Sequence, residues 1–403
     1  MNWLRGSKRC GEIVPQARGC NAKPSPLSSF FTHRHEHRSK KPSMMASSLR
    51  VAACHASPVF LNARKTTDKA LSFIRQAASN KANLVVFPET YISAFPIWSS
   101  LRPPTENHSL FQRMVQESIY ADGDEMEALR EAARSNNILV SIGFSERSRH
   151  SNGCLYNSNI FIGTEGEVLV HHRKLVPTFF EKLTWSSGDG YGLRVANTQY
   201  GRIGALICGE NTNALARYSL IAQAEQIHIS TWPTIWPTRT SRHTAQTAEQ
   251  TTDDSNEQSS PSAARGTNYD NLAANKTRAA AHCFEAKCFG VACSGHLGED
   301  AIKTIIEGAS QADVVAETLH AMPRAATFFL DPTGAPLPSF TYKGAEKEHV
   351  SALQDQEDIL YADMNLDDCI EGKQYHDVVG GYQRPDVFDL KVDRSRKEPV
   401  RFI

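Results

Sequence analysis

Apolar residues along this chain follow two alternating rhythms. The short apolar runs LRVAACHA (49–56), ANLVVFPE (82–89), ILVSIGFSE (138–146) and LYNSNIFIG (155–163) predict strands, as do GEVLVHHRK (166–174), RIGALIC (202–208), EQIHISTWP (225–233) and CFGVACSG (288–295). Between the first two, Ala70, Leu71, Ile74 and Ala77 recur near a 3.6-residue period and predict a helix over 66–80. Residues 121–136, 213–223 and 271–287 predict further helices. Strand, helix and strand in repeated succession specify a layered α/β fold, with helices covering the sheet faces. No fixed-period repeat interrupts the pattern.

Two stretches depart from it. Residues 1–44 hold nine Lys or Arg and two acids, with no helical or alternating period, and Pro15, Pro24, Pro26 and Pro42 would break an amphipathic stripe. Order is expected to begin near Leu49. Residues 1–48 therefore read as a disordered extension, or as a piece upstream of a start at Met44 or Met45, although a basic targeting segment fits the composition too. The histidines at 33, 35 and 37 read as solvated rather than metal-binding. Residues 239–268 are rich in Thr, Ser, Gln and Ala and lack any large apolar side chain. Burial cannot offset the ordering entropy of such a segment, so it reads as a polar surface insertion.

Composition narrows the class. The 403 residues are 40% apolar, enough for a large core, and 44 bases balance 44 acids. That balance gives no reason to expect nucleic acid or an anionic membrane. No apolar stretch approaches the roughly 20 residues that cross a bilayer. The nine scattered cysteines favour reduced thiols in a cytoplasmic protein over a disulfide scaffold.

Candidate chemistry sits where apolar strands end. Glu89 closes ANLVVFPE, Lys174 follows EVLVHHR, and Cys208 follows RIGALI in GALICGENTN. Open sheets build their sites at such ends. Each residue also has a plainer reading: Glu89 as a turn acid, Lys174 as part of a basic surface patch with His171, His172 and Arg173, and Cys208 as a small core residue.

Taken together, the blocks resemble a known family. FPETYISAFPIW (87–98), HRKLVPTFFEKLTW (172–185) and GALICGENTNALARYSLIAQAEQIHISTWP (204–233) look like the signature blocks of the nitrilase branch of the carbon–nitrogen hydrolases, in the same order. VAACHASPVFLN (51–62) and GKQYHDVVGGYQRPDVFDL (372–390) extend the likeness over most of the chain. In detail it is closest to fungal nitrilases that favour arylacetonitriles or aromatic nitriles.

The resemblance implies a four-layer α-β-β-α sandwich, with the hydrolase domain at 49–345 and residues 346–403 as a C-terminal extension that serves as an assembly surface. It implies Glu89 as general base, Lys174 as electrostatic stabiliser, Cys208 as nucleophile and Glu181 as a second acid orienting Lys174 and water. A nitrile would be hydrolysed to acid and ammonia through a thioimidate and a thioester, without metal or cofactor and with an amide by-product. A cyanide hydratase or amidase would use the same triad, and a silent assembly protein could share the scaffold. Homo-oligomers, from dimers to spirals, are expected. Many family members carry Trp after the cysteine, whereas Gly209 stands here; its N–H is the expected oxyanion donor. Tyr91 and Trp232 are expected to line the substrate site. Glu285 resembles a supporting acid, His228 reads as a hydrogen-bonded core residue, and Cys283, Cys288 and Cys293 read as core.

Overall fold

Period-two patterning in the strands directs alternate residues to opposite faces, and both faces are apolar. The computed structural model describes residues 48–241, 268 and 270–400. The expected N-terminal extension, Ser48 apart, and most of the polar insertion lie outside the described residues. Eight strands form a large mixed sheet: β1 Ser48–His55, β2 Leu84–Val86, β3 Leu139–Arg147, β4 Leu155–Ile162, β5 Val168–Arg173, and, after five strands of a second sheet, β11 Phe340–Lys343, β12 Glu346–His349 and β13 Asp358–Asn365. The second sheet holds β6 Ala196–Thr198, β7 Gly201–Ile207, β8 Ile227–Trp232, β9 Phe289–Ser294 and β10 Phe328–Leu330. The orders are β12-β11-β13-β1-β2-β3-β4-β5 and β10-β9-β8-β7-β6.

Val51 and Ala53 of β1 share one core with Ile227, Ile229 and Val291, so the two sheets pack face to face. Their neighbours Ala52 and Cys54 point the other way, into a core closed by Ala70, Ile74 and Ala77 of α1 (Ala63–Ser79). Helix α2 (His108–Glu117) packs Leu110 and Met114 into a third core, and α3 (Asp124–Asn136) adds Met126, Leu129 and Ala133 to the second. On the far face of the small sheet, α4 (Ala214–Ile221) sets Ala216 and Leu220 against Leu206. Helix α5 (Asn271–Ala286) sets Ala279 and Cys283 against Ile207 and Ala292. The layers are thus α-β-β-α, as expected. Caps set the helix starts: Asn62, Asn213 and Asp270 each accept a backbone N–H of the first turn.

The described residues belong to one compact unit, and its extent corrects one expectation. A boundary at 345 falls inside the hairpin of β11 and β12, and β13 pairs antiparallel with β1 along its whole length in the middle of the large sheet. The domain therefore runs past 346 into what had read as an extension. Helices α2, α6 (Glu299–Ile306) and α7 (Ala312–Ala321) and strands β6 and β10 to β13 were not foreseen. The site lies where β1 to β3 and β7 to β9, the parallel centres of the two sheets, present their carboxyl ends.

Candidate active site

Glu89 leaves β2 in a turn pressed against β3. Thr90 takes a left-handed φ of 43°, and a Cβ on Gly143 would come within 2.4 Å of the Pro88 carbonyl and 2.5 Å of the Thr90 nitrogen. Only glycine allows this approach. Gly143→Ala is accordingly expected to push the Glu89 turn outward, at a cost of about 1–3 kcal/mol and with a larger proportional loss of turnover than of stability. Thermal melting and steady-state rates on one sample check it.

One oxygen of Glu89 accepts from Lys174 Nζ at 2.9 Å and from Asn157 Nδ2 at 2.7 Å. The other, Oε2, is buried without a partner. Lys174 leaves the end of β5 and is wholly buried. It also donates to both oxygens of Glu181, at 2.8 and 2.7 Å. Glu181 rides a single 3₁₀ turn, Phe179–Leu183, entered through a left-handed Phe179. Cys208 leaves β7 in the left-handed region at φ 50° and is 6% exposed. Its sulfur and one oxygen each of Glu89 and Glu181 lie within 4.8 Å of one another. Cys208, Glu89 and Glu181 therefore gather at one place, with the Lys174 ammonium bonded to both acids.

The Cys208 turn is braced by its own side chains. Glu210 folds back to accept from the Ile207 N–H at 2.9 Å, the Leu175 N–H at 2.6 Å and His172 Nε2 at 2.9 Å. One carboxylate thus ties the cysteine turn to the strand end that carries Lys174. Asn211 Nδ2 donates to the carbonyls of Leu206 and Cys208 at 3.2 and 3.0 Å. A Cβ on Gly209 would lie 2.6 Å from Thr178 Oγ1, so the turn packs closely on the loop that leads to Glu181.

One cation among two carboxylates and a thiol dictates the electrostatics. Burial, and then the nearby Glu89, push the Cys208 thiol far up, against the pull of Lys174. Burial raises Glu89 also, although Lys174 and Asn157 oppose it. Glu181 is pushed up to about 7 by burial, with Glu89 adding to the shift and Lys174 resisting it. Burial works against the Lys174 charge, but Cys208, Glu181 and Glu89 outweigh it and hold the ammonium charged. The thiol form is thus favoured at Cys208, whose sulfur lies within 4.8 Å of a Glu89 oxygen.

The other expected residues divide. Tyr91 is buried against Phe87, with ring centroids 5.2 Å apart, and its hydroxyl has no partner. It lines a mostly apolar cavity with Glu89, Phe60, Phe95, Ile97 and Leu297; Cys208 and Lys174 are not on that wall. Trp232 packs in the same cluster as Cys208, under the Arg278 guanidinium 4.7 Å above its ring. Glu285 pairs with Arg217 at 3.2 Å and is partly exposed. Cys283, Cys288 and Cys293 are buried core residues. Asn157 and Arg278 were missed, since nothing in their local sequence marks them; His172 opens the 172–185 block but was read only as part of a surface patch. Two groups of metal-ligand type occur among the described residues. Lys174 already supplies a cation to Glu89 and Glu181, and in the second group Glu225 accepts hydrogen bonds from His228 and His282.

Comparison with known proteins identifies the family. A carbon-nitrogen hydrolase family model matches residues 50–374. The chain is 32% identical to an arylacetonitrilase of Hypocrea virens, over 88% of this chain and 94% of that one. It is 30% identical to a nitrilase of Penicillium rubens, over 88% and 96% respectively. Among solved structures, the Caenorhabditis elegans NitFhit protein shares the fold with a TM-score of 0.57 at 16% identity, over 87% of this chain and 69% of that chain. A matched family model across most of its length, on a sandwich that gathers a thiol, an amine and two acids, makes this chain a member of the carbon-nitrogen hydrolase family.

Proposed function

We propose that the protein is a nitrilase that converts an arylaliphatic or aromatic nitrile to its carboxylic acid and ammonia. The reading is carried by the approach of Cys208, Glu89 and Glu181 to within 4.8 Å around the Lys174 ammonium, in a chain whose relatives bear the names arylacetonitrilase and nitrilase.

The unpartnered Glu89 oxygen takes the Cys208 proton as sulfur bonds to the nitrile carbon. The nitrile nitrogen gains a proton from the protonated acid, giving a thioimidate. Water adds, deprotonated by Glu89, and the tetrahedral species expels ammonia to leave a thioester. A second water releases the acid and restores the thiol. The sum is one nitrile and two waters to one acid and one ammonia. Lys174 and the Gly209 N–H hold the charge on the tetrahedral species, a role in which one donor is typically worth about 10²–10³ in rate. Where sulfur leaves before ammonia, the product is an amide. Tyr91 and Trp232 contribute to the substrate site.

Ammonia release from phenylacetonitrile, with acid as main product, is the expected result across a panel of arylaliphatic, aromatic and aliphatic nitriles, cyanide and amides. Turnover of cyanide or amides alone would replace the nitrilase assignment.

The acid pair sets the pH dependence. Glu89 must be unprotonated, so activity is lost on acidification, with a limb above the ordinary carboxylate range because burial raises both acids. In Glu181→Gln the Lys174 charge is left to Glu89 alone. That lowers the Glu89 pKa, so the acid limb of kcat/KM is expected to move to lower pH while kcat falls. An unmoved limb would remove Glu181 from the coupling.

The chain assembles with itself: Leu215 on α4 and Phe284 on α5 are exposed on the outer helical layer, and Ile370 and Phe388 in the C-terminal segment. Seven unpaired cysteines among the described residues support a reducing, cytoplasmic setting. No described helix is long and apolar enough to cross a membrane.

A further inference from the structure

Beneath the Cys208 turn lies a fully buried polar chain that the proposed reaction does not touch. Asn211 Nδ2 faces two carbonyls, those of Leu206 and Cys208, and a carbonyl only accepts. The Asn211 amide oxygen must therefore face the other side. There it lies 2.9 Å from His228 Nε2 and 2.9 Å from Ser230 Oγ. His228 Nε2 must carry a proton to donate to it. The other ring nitrogen, Nδ1, lies 2.8 Å from Glu225 Oε1, again an acceptor, so it too carries a proton. With Glu225 held ionised, and so an acceptor at both of its oxygens, both ring nitrogens of His228 donate.

The neighbours agree with that charge. Glu225 Oε2 accepts from His282 Nε2 at 2.7 Å, while His282 Nδ1 has no partner, so one proton suffices for His282. The two imidazoles stack at 3.6 Å, which two like charges would not tolerate. Burial, followed by the charge on His228, lowers His282 to about 4. Burial opposes ionisation of Glu225, but His228 and His282 overcome it and hold the acid at about 2. Arg217 adds a cationic field on His282, and the buried thiol of Cys288 faces Glu225. One carboxylate and one imidazolium leave the cluster neutral, the condition for keeping it in a dry interior.

We infer that His228, held as an imidazolium by Glu225, is a positioning residue that locks Asn211 and thereby aims the Gly209 N–H at the reacting centre. The link is the planarity of one peptide unit. The Cys208 carbonyl and the Gly209 N–H belong to the same trans peptide and point in opposite directions. Asn211 holds the carbonyl end, so the N–H end is directed away from the buried chain. The inference rests on the nitrilase reading for its rate consequence but not for its protonation state.

Three measurements test it. On wild-type protein carrying ¹⁵N-labelled histidine, with His228 assigned by its loss in whichever of His228→Gln and His228→Leu folds, both ring nitrogens are expected to be protonated; a neutral ring overturns the inference. In His228→Leu, kcat on phenylacetonitrile is expected to fall about 10²–10³-fold, the loss of one oxyanion donor, with KM within about threefold. His228→Gln, which keeps an N–H toward Asn211, is expected to recover a substantial part. The alkylation rate of Cys208 by iodoacetamide, followed by peptide mass, is expected to stay within about threefold, because alkylation needs the sulfur but not the oxyanion donor. Unchanged kcat, or a fall matched by an equal fall in alkylation, overturns the inference. If the wild-type enzyme turns over no nitrile, the functional proposal fails, and the histidine spectrum still decides the protonation state. The spectrum also decides it should either variant not fold.

Discussion

Cys208→Ala is expected to abolish ammonia release from every nitrile, a loss of at least about 10⁴-fold, because no other group can form the covalent bond to the nitrile carbon. Removing only the nucleophile leaves the surrounding donors in place, so the variant should still bind substrate. Its fold should be nearly unaffected. Alanine has the same backbone demands as cysteine in the left-handed turn, and the bracing by Glu210 and Asn211 reaches the turn through groups that the substitution leaves intact. The melting temperature is therefore expected to stay within a few degrees of wild type. Intact-mass spectrometry supplies the second readout: a thioimidate or thioester adduct trapped on wild type during turnover should be absent from the variant. A Cys208→Ala protein that still releases ammonia would end the covalent mechanism.

Lys174→Met is expected to damage activity and stability together. Nζ makes three short contacts to two carboxylates in a fully buried setting. Without the ammonium, Glu89 and Glu181 face each other unpaired. Leaving one side of a buried ion pair unmatched typically costs about 3–5 kcal/mol, so the melting temperature should drop by several degrees. The acids answer by binding protons, which removes the base. Turnover is expected to fall about 10³-fold or more, through loss of both the base and one donor to the tetrahedral species. The sign of the pH dependence discriminates this account from simple loss of packing. Both acids would have folded-state pKa values raised above their unfolded ones. Their contribution is then fully present below the unfolded value and lost as pH rises through the folded one. The variant should melt higher at pH 5 than at pH 8 relative to wild type at each pH, and a pH-independent difference would count against unpaired carboxylates.

Much of the layering was legible because the strands are apolar on both faces and short, and the helices hold a clear period. β1, β3, β4, β7, β8 and β9 fall within a residue or two of the runs that predict them. β12 was illegible for a physical reason: EKEH is a fully exposed edge strand with no apolar face to betray it. β13, DILYADMN, was overlooked because its partner, β1, is some three hundred residues away, and local periodicity says nothing of pairing at that range. Glu89, Lys174, Glu181 and Cys208, which the fold brings together, were singled out from the motifs around them. Asn157 was not, because its role depends on a strand crossing that brings it to Glu89. Glu285 pairs with Arg217, on a different helix, a contact that a motif match cannot register. His228 read as a core residue, correctly, but its charge follows only from Asn211 and Glu225 in space.

The lateral seam between β1 and β13 joins Ser48–His55 to Asp358–Asn365 at the centre of the large sheet. During synthesis, the strand made first keeps one edge of backbone donors and acceptors open until nearly the whole polypeptide has left the ribosome. A nascent chain halted anywhere before residue 358 lacks the ribbon that seals that edge. Premature stops should therefore yield aggregation-prone fragments rather than smaller working enzymes, and refolding from denaturant should be slow, as closure across so long a loop demands.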